Sequence, residues 1–371
     1  MTTDQTLEIF LVATPGLEDA LLGEAIEKGF KKPKKIHGGI NIKGSWKDLW
    51  RANLELRGAS RILVRIGAFR ALHLAQLDKR ARRFDWQNFL RPDVPVRVDV
   101  TCKNSRIYHQ KAAAQRFETA IHETLGAPIS EEAEVCVKVR IQDDMCTVSI
   151  DTSGEALHKR GHKEGVNKAP MRETIAALLL RQCGFKGNEP LVDPMCGSGT
   201  FVLEAAEIAA RLNPGRTRSF AFEQLVTFDP VLWQELKEND RSKKTDFTFY
   251  GFDRDQGAID LSKANAERAN LSNACVFQQQ VISDLVAPCE EKGLVIINPP
   301  YGVRIGETKK LTPLYQTLGH TLQKNFQGWR VALITNQEAL AKSTGLPFDD
   351  TPVSFSHGGI RVKLYTTASL L

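Results

Sequence analysis

At 371 residues, with 42% apolar and 25% charged residues, the chain is long enough for two or three domains and has the composition of a soluble globular protein. It lacks the run of about eighteen apolar residues that a membrane helix needs. It also lacks a basic, apolar N-terminal signal, and its seven cysteines make neither a CxxC pair nor a zinc-like cluster, so reduced thiols, a cytoplasmic location and no metal are expected. The net charge of +6 is unevenly placed: residues 28–116 hold 22 Lys/Arg against 6 Asp/Glu, whereas residues 166–371 hold 23 against 22. A basic block of this size in a folded region is the footprint of a polyanion binder, and the Arg80, Arg82 and Arg83 cluster within it is a candidate nucleic-acid contact.

In chain order, the pattern predicts a strand over 7–13, an amphipathic helix over 17–28, and a turn and strand over 38–42. A helix capped by Ser45 follows, then a half-buried strand over 61–66. Next come a helix over 72–83, a strand over 94–101, a helix over 109–125 and strands over 135–142 and 146–151. This is an α+β region, divided near residue 65. Residues 154–168, rich in Gly, Lys and His, read as a linker. From residue 169 strands and helices alternate: helix 170–183, strand 190–193, helix 200–212, strand 247–252, helix 256–270, strand 274–280, strand 294–297, helix 314–326, strand 329–335 and a closing hairpin over 352–366. Such alternation predicts a doubly wound, mostly parallel sheet of the Rossmann-like α/β class, with ligands at the carboxyl ends of its strands.

Two strand ends carry chemistry. In Leu191-Val192-Asp193-Pro194-Met195-Cys196-Gly197-Ser198-Gly199-Thr200, the glycines let the backbone turn tightly and approach a ligand, and Thr200 opens a helix with free N–H groups. Asp193 suits the amino group of a methionine moiety, and Cys196 suits a small packing role. Asp253, at the end of the next strand and followed by Arg254, suits ribose hydroxyls; residues 213–246 read as an insertion that sets it sixty residues on. Asp284 is placed to accept from an adenine amine or to cap a helix. Together these candidates point to S-adenosylmethionine.

The second loop is Asn298-Pro299-Pro300-Tyr301. An exocyclic base amine is a poor nucleophile, because its lone pair is delocalised into the ring. The Asn298 side-chain oxygen and the Pro299 carbonyl can accept its two hydrogens and favour a tetrahedral nitrogen, Pro300 stiffens the loop, and Tyr301 offers a stacking face. This argues for in-line methyl transfer to nitrogen by alignment, and against pyrimidine carbon-5 chemistry, which needs a nucleophilic cysteine. Adenine N6, guanine N2 and amide nitrogen all remain open at this point.

With both motifs in place, the chain resembles the bacterial THUMP-containing, RlmL-like methyltransferases, over most of its length. The resemblance is carried by residues 151–162 (DTSGEALHKRGH), by residues 168–174 (KAPMRET), by Asn213-Pro214-Gly215-Arg216 at the start of the insertion, and by Ser105-Arg106-Ile107-Tyr108-His109-Gln110-Lys111. It implies a ferredoxin-like unit over 1–65, a THUMP RNA-binding domain over 66–153, a linker over 154–168 and an S-adenosylmethionine-dependent methyltransferase domain over 169–371. It implies structured RNA as partner, with Ser105, Arg106, Tyr108 and Lys111 at the RNA and one base presented for methylation at guanine N2, in 23S ribosomal RNA. Some members carry a second methyltransferase domain, which this sequence lacks. Transfer RNA guanine-N2 methylation, DNA adenine-N6 methylation and a non-catalytic RNA chaperone are the alternatives. The RNA-like N-terminal segment weighs against DNA, and intact Asp193, Gly197, Gly199, Asp253 and Asn298 weigh against the chaperone. No SGGxDS-type loop of a thiolation enzyme is present.

Overall fold

The computed structural model describes residues 6–163, 171–239, 241–301 and 307–371. In chain order the first elements are β1 (Leu7–Val12), α1 (Glu18–Glu27), β2 (Lys34–Ile36), β3 (Gly39–Gly44), α2 (Trp46–Glu55), β4 (Arg61–Arg70), α3 (Leu74–Arg82), β5 (Val96–Lys103), α4 (Gln110–Leu125), β6 (Val135–Gln142) and β7 (Met145–Asp151). Next come α5 (Glu173–Gln182), β8 (Leu191–Asp193), α6 (Thr200–Ala209) and α7 (Pro230–Glu238). The last are β9 (Phe249–Asp253), α8 (Gln256–Arg268), β10 (Cys275–Gln279), β11 (Leu294–Ile297), α9 (Glu307–Asn325), β12 (Arg330–Thr335), α10 (Glu338–Ser343), β13 (Val353–His357) and β14 (Ile360–Thr366).

The chain divides into two compact units. The first comprises residues 1–13, 22–157 and 218–239; the second comprises 14–21, 158–217 and 240–371. Each is built on one seven-stranded sheet. The first sheet has the order β2-β3-β1-β4-β7-β6-β5 and the second β10-β9-β8-β11-β12-β14-β13.

In the first unit the apolar residues alternate along each strand, so one sheet face is buried and the other is wet. Ile9, Leu11, Ile40, Ile42, Ile62 and Val64 point into the core. The α2 start is sealed by a capping box: Asp48 N–H donates to Ser45 Oγ at 3.3 Å, and Ser45 N–H donates back to Asp48 Oδ2 at 2.9 Å. The boundary expected at residue 65 falls inside β4, which runs unbroken from 61 to 70 and pairs with β1 and β7. A register shift between Arg65 and Gly67 bends the strand there, so one sheet serves both halves.

The insertion has structure that the sequence pattern did not predict. Pro230 occupies the first turn of α7, and Asp229 Oδ1 accepts from Val231 and Leu232 N–H. Residues 218–239 belong to the first unit, where Phe222 stacks on Trp50 of α2 at 6.0 Å and meets Trp233 edge-on at 5.0 Å.

In the second unit five strands run parallel, and β14 pairs antiparallel with β12 and with β13, giving the expected doubly wound sheet with a closing hairpin. The β11 strand is buried along its whole length, as a central parallel strand must be. Residues 154–168 were expected as a linker. Over their described part, through Lys163, they are packed instead. Arg160 is 2% exposed and pairs with Glu204 of α6, His162 lies 3.7 Å from Glu207, and Lys163 meets Glu173 at 3.0 Å. The physical reason is that α5 and α6 bury carboxylates, which need polar partners beside them, and Arg160 and Lys163 supply charge to Glu204 and Glu173.

Candidate active site

The strand order fixes where a site can form. From β8 the chain steps outward through β9 to β10, then crosses to β11 on the other side of β8. This reversal opens a crevice at the carboxyl ends of β8 and β11. Leu294 pairs with Leu191 and Val295 with Val192, so continuing the register sets Ile296 beside Asp193. Asn298 follows two residues on, about 7 Å further along the strand direction.

The loop after β8 is tied down from two sides. Cys196 N–H donates to the Phe252 carbonyl at 2.9 Å, and Gly197 N–H donates to Asp253 Oδ2 at 3.0 Å. From α8, Ser262 Oγ donates to the Gly197 carbonyl at 2.9 Å and Asn265 Nδ2 to the Ser198 carbonyl at 3.1 Å. Gly199 has a φ of 81° and caps α6 without a side-chain bond. A β-carbon there would lie 3.1 Å from Ser262 Oγ and 3.2 Å from the Phe277 ring, so the left-handed backbone favours glycine and the tight packing adds to that preference.

Asp193 is 2% exposed and accepts from Met195 N–H at 3.1 Å. No cation pairs with it among the described residues. Burial, with the nearby Asp253 adding to it, pushes its pKa up to about 8. Burial likewise raises the Cys196 thiol well above its usual range, which makes it a packing group rather than a nucleophile. Asp253 accepts from Gly197 N–H and, through Oδ1, from Asp255 N–H at 3.0 Å, which leaves lone pairs for further donors. Arg254 is exposed, and its carbonyl accepts from Gln279 Nε2 at 3.0 Å. Asp284 is exposed at the end of a single helical turn after β10 and accepts from Ser283 Oγ at 2.9 Å.

The Thr200 hydroxyl is largely spent inside the protein. It accepts from Lys163 Nζ at 2.7 Å and donates to the Met171 carbonyl at 3.4 Å. Lys163 thus joins the first residue of α6 to Glu173 at the start of α5. Sequence reasoning missed this latch, because a lysine in a glycine-rich stretch carries no mark of burial.

At the second loop Asn298 is half-buried, and its Oδ1 is buried without a hydrogen-bond partner among the described residues. Pro299 is buried and Pro300 exposed. Burial raises the Tyr301 hydroxyl. Tyr315 of α9, which was not anticipated, donates to the Pro300 carbonyl at 3.3 Å.

The candidate RNA contacts fall into two groups that the fold separates. Arg80 and Arg83 are exposed, whereas Arg82 is held by Asp78 at 2.8 Å and by Glu123 in the last turns of α4. Ser105 to Lys111 leads into the other end of that helix, about 18 Å away by helical rise. There Tyr108 is 81% exposed and Arg106 and Lys111 are exposed. Ser105 Oγ serves a turn, donating to the Lys103 carbonyl and accepting from Asp144 N–H.

A recess of about 190 Å³ lies at the opposite strand ends, lined by Leu294, Arg330 and Thr367 among others. Arg330 is tied there to Glu189 and to the Cys183 carbonyl, so that recess is structural. No helix among the described residues is long and apolar enough to cross a membrane.

Residues 160–355 match the family described as "RMKL-like, methyltransferase domain", and residues 8–63 match the "RlmL ferredoxin-like domain". A Synechocystis protein named "Putative RNA methyltransferase slr0064" is 30% identical over 352 residues, covering 92% of this chain and 91% of its own length. The ribosomal RNA large subunit methyltransferase K/L of Vibrio campbellii is 32% identical over 344 residues, covering 89% of this chain and 49% of its own length. The chain therefore spans about half the length of that K/L relative. The crystal structure of SMU.472 complexed with SAH superposes with a TM-score of 0.88 at 26% identity, covering 100% of this chain and 99% of the other.

Proposed function

This chain belongs to the RMKL-like methyltransferase family, and we propose that it methylates RNA at the exocyclic N2 of guanine, in 23S ribosomal RNA, in the cytoplasm. The observation that carries the reading is the pair of strand ends. Asp193 closes β8, and Asn298 follows the adjacent β11 with a buried, unsatisfied side-chain oxygen. A buried acceptor without a partner is costly, and a substrate N–H is the kind of group that relieves it.

S-adenosylmethionine is the methyl donor, and the residues present fit it. Asp193 is a buried carboxyl group that no cation pairs with among the described residues, suited to an ammonium group. Asp253 keeps lone pairs for ribose hydroxyls, and the uncapped start of α6 offers N–H groups to a carboxylate. When bound, the cofactor supplies an electrophilic methyl group on a sulfonium centre.

The chain's own residues do the rest. Asn298 Oδ1 and the Pro299 carbonyl accept the two amine hydrogens and draw the nitrogen toward tetrahedral geometry. Tyr301 stacks on the flipped base, and the stiff proline pair keeps those acceptors in place. Asp284 accepts from adenine, with Arg254 at the rim. Residues 66–153 act as the THUMP domain after a ferredoxin-like unit over 1–65, with 169–371 as the catalytic domain.

The test is methyl transfer from labelled S-adenosylmethionine to unmodified ribosomal RNA, transfer RNA and duplex DNA, followed by nucleoside analysis. N2-methylguanosine from ribosomal RNA is expected. The same product from transfer RNA alone would move the substrate, N6-methyladenine from DNA would overturn the RNA reading, and cofactor binding without turnover on any pool would favour a chaperone.

A further inference from the structure

The wet face of the first unit's sheet carries a second basic surface, apart from the helix-side residues considered so far. Strand register defines it. In one row Arg70 pairs with Met145, Met145 with Gln142, and Gln142 with Lys103. In the next row Thr147 pairs with Arg140, and Arg140 with Thr101; in a third, Arg65 pairs with Ser149, Ser149 with Lys138, and Lys138 with Asp99. Paired residues share a face, so all of these side chains project to one side.

The opposite side is the covered one. Phe69, one residue out of phase with Arg70, stacks on Phe117 of α4, and a β-carbon on Gly67 would strike the Phe84 ring. Val98, Val100, Val137, Val139 and Val148 are buried on that side.

Four cations on the wet face meet carboxylates: Arg61 meets Asp151 at 2.6 Å, Arg65 meets Glu8, and Arg97 and Lys138 share Asp99 at 2.9 and 2.8 Å. Arg70, Lys103 and Arg140 are exposed and meet no carboxylate among the described residues. Arg140 is aimed by its bond to Gln142 Oε1 at 2.6 Å. With neighbouring strands about 4.8 Å apart, the three cations lie within a patch about 14 Å wide. Lysines on an edge strand commonly guard against sheet extension, and that accounts for Lys103 on β5. It does not account for Arg70 and Arg140, which stand on the interior strands β4 and β6.

We propose that this sheet face, centred on Arg70, Lys103 and Arg140, is a contact surface for the phosphate backbone of the RNA substrate. The inference rests on the RNA reading above. Thr101, Thr147 and Gln142, interleaved with the cations, suit phosphate oxygens and 2′-hydroxyls. Met145, 45% exposed between Arg70 and Gln142, supplies one apolar spot for a base or sugar. A protein partner would favour an apolar core ringed by polar groups, and this face has cations spread over polar residues instead.

The test is binding of a deproteinised 23S ribosomal RNA transcript between 50 and 200 mM salt, with methyl transfer to the same transcript measured in parallel. The variant Arg70→Gln/Lys103→Gln/Arg140→Gln should bind about tenfold more weakly near 0.1 M salt, with a log–log salt slope smaller by about 2 to 3. Its melting temperature and its affinity for S-adenosylhomocysteine should stay at wild-type values. Thr101→Lys, which adds a cation beside Arg140 in place of a hydroxyl, should steepen the slope and so tests the surface by gain of charge. A triple variant with wild-type affinity and slope, made in a protein that methylates RNA, would sink this surface alone and leave the face to an acidic protein. Wild-type protein that binds the transcript through these residues yet methylates no RNA would sink the functional reading instead. No binding by the wild type would overturn the surface as well.

Discussion

The Tyr315 hydroxyl donates to the carbonyl of Pro300 at 3.3 Å, linking the buried middle of α9 to the loop that carries Asn298. Tyr315 has no exposed surface, and burial pushes its pKa up to about 12, so the hydroxyl stays a donor through the working pH range. Tyr315→Phe keeps the ring and removes this bond together with the hydroxyl's contact to Thr335. We expect turnover to fall about tenfold, since small misplacements are costly in an alignment mechanism. Affinity for S-adenosylhomocysteine and the melting temperature should change little. Turnover equal to wild type would show that the loop holds its shape without the bond.

Asn298→Ala removes the acceptor that has no partner among the described residues. Turnover should drop at least about a hundredfold while cofactor affinity is nearly kept, the pattern of an interaction made at the reacting centre. Rapid-quench methyl transfer alongside calorimetric titration separates the two quantities.

Asp253→Ala should behave in the opposite sense, weakening cofactor binding. It also frees Gly197 N–H, so the loop loses one of its ties. A dissociation constant for S-adenosylhomocysteine equal to wild type would remove Asp253 from the cofactor site.

Asp193 gives a pH signature. Its folded-state pKa, about 8, lies above the 3.8 of an unperturbed aspartate, so the ligand-free protein binds the extra proton between these limits. Stability from this group is therefore full below about pH 4, falls as pH rises toward 8, and is flat above. Cofactor binding runs the other way below pH 8, because an ammonium needs the ionised carboxylate, so affinity should rise as pH climbs toward 8, where the ligand's amino group begins to lose its own proton. Asp193→Asn should raise the melting temperature of the ligand-free protein at pH 8, flatten both profiles and weaken cofactor binding. Unchanged pH profiles in the variant would place the titration elsewhere.

Lys163→Met leaves Glu173 buried without its cation. A loss of about 3 to 5 kcal/mol is typical when one partner of a buried pair is removed. The double variant Lys163→Met/Glu173→Gln should recover much of it, and denaturant unfolding of the two singles and the double measures the coupling. Additive losses would show that the ion pair is not the source of the effect.

Much of this architecture was legible from local pattern. Ser45 announced its helix as a cap, and the buried run Leu294–Ile297 announced a central parallel strand, because capping and periodicity act over a few residues. What escaped depends on partners far along the chain. Arg160 meets Glu204, His162 meets Glu207 and Tyr315 meets Pro300 only after folding, so a stretch that read as a linker is packed. The cations of the wet face were visible as alternation in Val96–Lys103 and Val135–Gln142. Their gathering on one surface follows from register, which single strands do not reveal.

The return of residues 218–239 to the first unit bears on how the protein is made. A ribosome that has released the chain only as far as Leu157 has delivered both edges of the first sheet but not Phe222 or Trp233. Until Phe228 emerges, the indole of Trp50 lacks the aromatic rings it packs against. At ordinary elongation rates of about 5 to 20 residues per second, that is a wait of several seconds with an apolar surface bare. A dissected N-terminal fragment would carry the same exposed surface permanently, whereas grafting residues 218–239 after Leu157 through a short loop would let the unit close by itself.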